Sequence, residues 1–125
     1  MAQDSEFETD GVKATVLNQS GSAWNGKGYG RYPEGKPLIT TMKLSFEPHT
    51  TLPWHTHPMP SSSYVLSGTL TVEDKETGRT HVVKAGEAFN ESMDEVHRGY
   101  TTDEPVELLI TYAGVEGQDL SEAAE

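Results

Sequence analysis

Apolar residues alternate with polar ones in short runs along this chain, and helical spacing is nowhere sustained. The clearest run spans residues 38–47. Leu38, Thr40, Met42, Leu44 and Phe46 fall on one side, and Ile39, Thr41, Lys43, Ser45 and Glu47 on the other. A period of two is what a strand with one inward face requires, and Pro48 ends it. Residues 12–17 read as an earlier strand with Val12, Ala14 and Val16 on one face. Further short strands are expected at 63–67, 69–72, 79–84, 88–90, 96–101 and 107–113, the last placing Leu108, Ile110 and Tyr112 together. Gly68, Gly78, Gly86 and Pro105 punctuate them. Many short strands joined by Gly, Pro and Asp turns indicate an all-β sandwich, jelly roll or barrel.

Two stretches depart from this rhythm. Residues 18–37 carry Trp24, Tyr29 and Tyr32 among Gly26, Gly28, Gly30 and Gly35, with no period. Such a segment either packs across a barrel mouth or forms a surface Ω-loop. Residues 114–125 are acidic and read as an exposed tail, while residues 1–10 read as a loose arm anchored only by Phe7.

A chain of 125 residues suits one domain. A net charge of -11 argues against nucleic acid or an anionic membrane as partner, since both are gripped by clustered Lys and Arg. No apolar run approaches the ~18–20 residues that span a bilayer. Cysteine is absent, which removes disulfide and thiolate chemistry. A cytoplasmic protein is expected, or a periplasmic one if a leader has been removed.

The chemistry concentrates in Trp54-His55-Thr56-His57 and in Val96-His97-Arg98. On a strand, His55 and His57 share a face while Thr56 points away. Two imidazoles one residue apart can reach a single ion, and His97 supplies a third from a similar strand. Neutral imidazole is a common metal ligand, and three of them leave positions open for water or substrate. The plainer reading is three polar residues in a barrel mouth. Glu91, Asp94 and Glu95 precede His97 in a polar turn, where acids are usually solvated, although one of them is able to complete a metal shell. Trp54, Met59, Ser61 and Tyr64 are candidate substrate-pocket residues, and each also fits ordinary barrel packing. His49 and His81 lack a partner pattern and read as surface or strand residues.

These residues resemble the cupin superfamily, in the manner of its small single-domain bacterial members. His55-x-His57 followed by Gly68 resembles the first cupin motif, and Gly86 followed by His97 the second. Tyr64-Val65-Leu66-Ser67-Gly68 and Lys84-Ala85-Gly86-Glu87 are also similar to segments of that fold. The pattern departs at Ser61, where the family has its glutamate ligand. It departs again at His49, Ser92, Asp94 and Thr101, which replace motif residues. The resemblance implies a double-stranded β-helix, or jelly-roll, barrel over residues 38–113. Residues 1–37 would pack on it as arm and loop, 114–125 would form the tail, and the assembly would be a homodimer. It also implies one divalent transition metal (Fe, Mn, Ni, Cu or Zn) on His55, His57 and His97.

Three functions are then open. One is a metal-dependent oxygenase, with dioxygenase chemistry on Fe(II). Another is a non-enzymatic module that binds a metal or a small-molecule ligand. The third is a metal-assisted isomerase or lyase. With Ser61 in place of glutamate, three neutral imidazoles leave the ion nearly its full charge. A small chelating anion is the expected ligand.

Overall fold

The computed structural model describes residues 9–125, and every regular element there is a strand. These are β1 (Pro37–Phe46), β2 (His55–Thr56), β3 (Ser61–Ser67), β4 (Thr69–Asp74), β5 (Thr80–Lys84), β6 (Ala88–Asn90), β7 (His97–Tyr100), β8 (Val106–Val115) and β9 (Glu122–Ala123). They form two antiparallel sheets, ordered β1-β8-β3-β6 and β5-β4-β7-β2-β9. The architecture is an all-β jelly roll. Phe7 lies outside the described residues.

Register explains the inward faces. β1 pairs with β8 along its whole length, setting Met42 opposite Ile110, Leu44 opposite Leu108 and Phe46 opposite Val106. Directly opposed residues project to the same side of a sheet. β3 adds Ser61, Ser63 and Val65 opposite Tyr112, Ile110 and Leu108. From the other sheet come Leu70, Val72 and Val83, which complete a buried core with Phe89 and Met59. Burying each aliphatic side chain stabilises the fold by ~1.5–3 kcal/mol. Gly68 turns β3 into β4 with φ of +81°, and a Cβ there would stand 2.2 Å from the Pro105 carbonyl oxygen. Only glycine meets both demands.

Three expectations need correction. Residues 12–17 form no strand. Val12 makes an isolated bridge to Thr9, and Val12 and Val16 are 55% and 46% exposed. Alternation alone does not make a strand. The acidic tail is tied into the barrel, since β9 pairs with β2, setting Ala123 against His55 and Glu122 against Thr56. At the start of β1, Leu38 is 48% exposed although the pattern points it inward. The strand overruns the core there.

The aromatic loop packs on the barrel flank. Trp24 N donates to Asn90 O at 3.0 Å, and the Trp24 ring stacks on His81 at 5.8 Å. Asn25 Nδ2 reaches Asp74 Oδ2 at 3.2 Å and Glu95 Oε1 at 3.1 Å. Burial by itself would raise the Asp74 pKa. Hydrogen bonds from Thr77, Asn25 and the Glu76 amide outweigh it and hold the carboxyl below its usual value. His49 sits in an exposed turn 3.5 Å from Asp103, as a surface residue.

Candidate metal centre

β2 and β7 are neighbours, and His55 is the direct ladder partner of His97. Their rings therefore project from the same face, with centroids 4.5 Å apart. His57 follows β2 on the same side, 4.9 Å from each of the other two rings. The nearest ligand atoms of the three residues all lie within 4.8 Å of one another. His57 and His97 are buried and His55 is half-buried.

Each ring is held by its Nδ1. His55 Nδ1 lies 2.8 Å from Pro53 O, His97 Nδ1 2.8 Å from Glu95 O, and His57 Nδ1 2.8 Å from Leu120 O. A carbonyl oxygen only accepts, so Nδ1 carries the proton in all three. In the neutral ring Nε2 is then left with its lone pair. Two of these anchors are local, two residues back along the chain. The third comes from the tail.

Desolvation lowers the pKa of both buried rings. It takes His97 down to about 4, against a smaller opposing pull from the Glu95 carbonyl. His57 is lowered for the same reason, with Glu91 opposing. Burial therefore favours the neutral form of both rings, the form a ligand must have.

The histidines open onto a cavity of about 320 Å³. Its walls are largely apolar, with Met42, Leu44, Phe46, Leu70, Leu108 and Ile110 among them, and Tyr112 adds a hydroxyl. Burial raises the Tyr112 pKa to about 12, with Glu91 adding to the effect, so the phenol is a neutral hydrogen-bond donor. Ser121 and Ala123 of the tail also line the cavity, whereas no residue of 18–37 does.

The three acids before His97 have separate fates. Asp94 is exposed, at φ of +60°, in the position where the cupin motif has a glycine. Aspartate tolerates that left-handed geometry, and Asp94 N donates to His57 O at 2.8 Å. Glu95 pairs with Lys27 at 2.9 Å. Glu91 turns inward and lines the cavity, with burial raising its pKa against opposing pulls from His57 and His55. It was the acid hardest to single out. The signal was its parity with buried Phe89, which puts both on one face if β6 is extended by a residue.

The four proposed pocket residues separate in the same way. Trp54 lines the cavity, and the Arg98 guanidinium lies 4.0 Å over its ring. Met59 is fully buried in the core and does not line it. Tyr64 faces a surface groove shared with Val16 and Leu17. Ser61 is buried between its ladder partner Tyr112 and Glu91, outside the cavity lining. Leu120, whose carbonyl fixes His57, carried no signal, because a backbone acceptor has no residue type.

The donors fit a divalent transition metal. Imidazole nitrogens suit Fe, Mn, Ni, Cu and Zn alike. His97 Nε2 is buried and without a hydrogen-bond partner, a costly state for a polar atom unless something bonds it.

Among solved structures, the polyketide cyclase RemF from Streptomyces resistomycificus matches with TM-score 0.61 and 21% identity, over 73% of this chain and 63% of that one. The DMSP lyase DddQ from Ruegeria pomeroyi matches with TM-score 0.61 and 16% identity, over 69% of this chain and 43% of that one. This chain thus spans less than two thirds of either. A conserved protein with a double-stranded β-helix domain from Klebsiella pneumoniae matches with TM-score 0.58 and 20% identity, over 78% of this chain and 91% of that one. At such identities the likeness is one of fold. No curated protein matches the chain in sequence. The cupin domain profile matches residues 42–112, more than half of the sequence, and the chain belongs to the cupin family.

Proposed function

We propose that this cupin holds one divalent transition metal on the Nε2 atoms of His55, His57 and His97 and acts as an enzyme on a small chelating anion with an apolar body. The observation that carries the reading is the common Nδ1 anchoring, which turns three Nε2 lone pairs toward one apolar cavity. Bound there, such an ion supplies Lewis acidity toward a two-oxygen ligand and, as iron(II), redox chemistry with dioxygen. The chain does the rest. Leu44, Phe46, Leu108 and Ile110 receive the substrate body and exclude water, while the neutral Tyr112 hydroxyl is placed to donate to a substrate oxygen. Enolates, hydroxy- or keto-carboxylates and deprotonated phenols or diketones have the required shape.

Oxygenation is the first chemistry to test. A second reading, metal-assisted proton transfer in a lyase or isomerase, is favoured by the buried Glu91 carboxyl in the same cavity. The names of the cyclase and lyase neighbours accord with it. The experiment loads the stripped protein with each metal and screens chelating anions by thermal shift. A ligand selective for the loaded native state raises stability by about 2.7 kcal/mol at a hundredfold excess over Kd. Oxygen uptake with the iron form assigns the first chemistry, and turnover without oxygen assigns the second. No shift with any metal contradicts both readings.

A further inference from the structure

Glu91 is 6% exposed, and its Oε1 has no hydrogen-bond partner. That atom lies 3.7 Å from His97 Nε2, which is equally unpartnered. The separation is too long for a hydrogen bond. Two ligands held ~2.0–2.2 Å from one ion lie ~3–4 Å apart, depending on the angle between them. The spacing to His97 is therefore that of two ligands of one ion, while Glu91 stands just outside the three-histidine group whose donor atoms all lie within 4.8 Å of one another.

The ladder shows how Glu91 arrives there. β6 pairs with β3 through Ser62 and Asn90, and one rung further Glu91 N donates to Ser61 O at 3.0 Å. Glu91 thus stands across from Ser61, on the inward face. Ser61 is the position at which the first cupin motif has its glutamate. Cβ atoms of opposed residues stand ~4.5–5.5 Å apart. A carboxylate leaving from Glu91 therefore enters the same space as one leaving from Ser61. The small Ser61 side chain leaves room for it, and glutamates at both positions would set two like charges in one dry site. The Tyr29 hydroxyl donates to Glu91 O, and Trp24 N to Asn90 O. The aromatic loop thereby fixes the backbone from which Glu91 projects.

We propose that Glu91 is a fourth protein ligand to the metal, its carboxylate displaced by one ladder rung from β3 to the end of β6. This rests on the three-histidine reading. One carboxylate with three neutral imidazoles leaves the centre a net single positive charge instead of two. A monoanionic chelate is then matched to the site, and a dianion loses the advantage it would have over a shell of histidines alone.

The test uses the metal-stripped 125-residue protein titrated with zinc and with cobalt, following affinity and the cobalt visible spectrum. Wild type binds one equivalent, and His97→Ala binds none tightly. Glu91→Gln keeps the side-chain shape. It should weaken zinc by at least tenfold and change the cobalt spectrum, while the metal-free protein melts as wild type does. The exchange variant Ser61→Glu/Glu91→Ser returns a carboxylate from the other rung and should recover affinity to within a few-fold of wild type. It also decides the matter if Glu91→Gln fails to fold. Unchanged affinity and spectrum in Glu91→Gln, or an exchange variant no better than Glu91→Ser alone, overturns the carboxylate ligand and leaves the histidine site standing. Loss of binding in neither His97→Ala nor Glu91→Gln overturns the histidine site itself.

Discussion

The two sheets contribute different things to the cavity. The five-stranded sheet carries the imidazoles on adjacent strands, His55 facing His97, with two of three rings anchored to carbonyls two residues away. The four-stranded sheet carries most of the apolar wall and the carboxyl, and nothing local prepares Glu91. Its position depends on β3 register, on Ser61 being small and on loop residues far away in sequence. One wall is built by local geometry, and the other by tertiary pairing. Substitutions on the first should act on the metal directly, and those around the second through displacement.

The largest effect should come from the imidazole wall. His55→Ala, His57→Ala or His97→Ala should each weaken metal binding by about a hundredfold or more, since even groups that merely orient ligands are worth ~10–100-fold. Elemental analysis after gel filtration checks it, and full stoichiometry in all three would break the assignment. Next is removal of residues 118–125. It deletes β9 and the Leu120 carbonyl that holds His57. Affinity should fall by ~10–100-fold while the barrel stays folded.

The pH dependence of the metal-free protein sharpens the contrast further. His97 has a folded pKa of about 4 against 6.5 in the unfolded chain, so the unfolded state binds more protons between those values. Stability is therefore lost as pH falls from 6.5 toward 4, by about 3 kcal/mol for this group. Glu91 has the opposite sign. Its raised pKa means that its contribution is present below the unfolded carboxyl value and is lost as pH rises through the folded one. Denaturant melts of wild type and His97→Gln across this range should differ in slope, and equal slopes would contradict the burial account.

The smallest effect is expected at the loop. Tyr29→Phe removes one hydrogen bond to the Glu91 carbonyl. It should cost about 1 kcal/mol of stability and a few-fold in metal affinity. An unchanged affinity would detach the loop from the site.

Much of the imidazole wall was legible in the chain. Alternation through His55-Thr56-His57 and a strand through His97 are local patterns, and β1, β3 through β6 and β8 follow from the same period. The acid wall was less legible: parity with Phe89 turns Glu91 inward, but which residue faces Ser61 is a matter of register between strands, and sequence does not display it. The tail misled for a related reason. Glu122 and Ala123 lack strand character and pair because β2 offers a free edge. Residues 12–17 have the alternation and still form no strand. The aromatic loop was visible as a functional-looking segment, but its place on the flank depended on Asn90, Asp74 and Glu95 being brought together by the fold.

The central claim is that both walls close on one ion. An anomalous difference map from crystals loaded with zinc, recorded on either side of the zinc edge, tests it most directly. The account predicts one strong peak per chain, ~2.0–2.2 Å from Nε2 of His55, His57 and His97, with a Glu91 carboxylate oxygen at similar distance. A peak on surface acids, or none in the cavity at full zinc occupancy in solution, would contradict it.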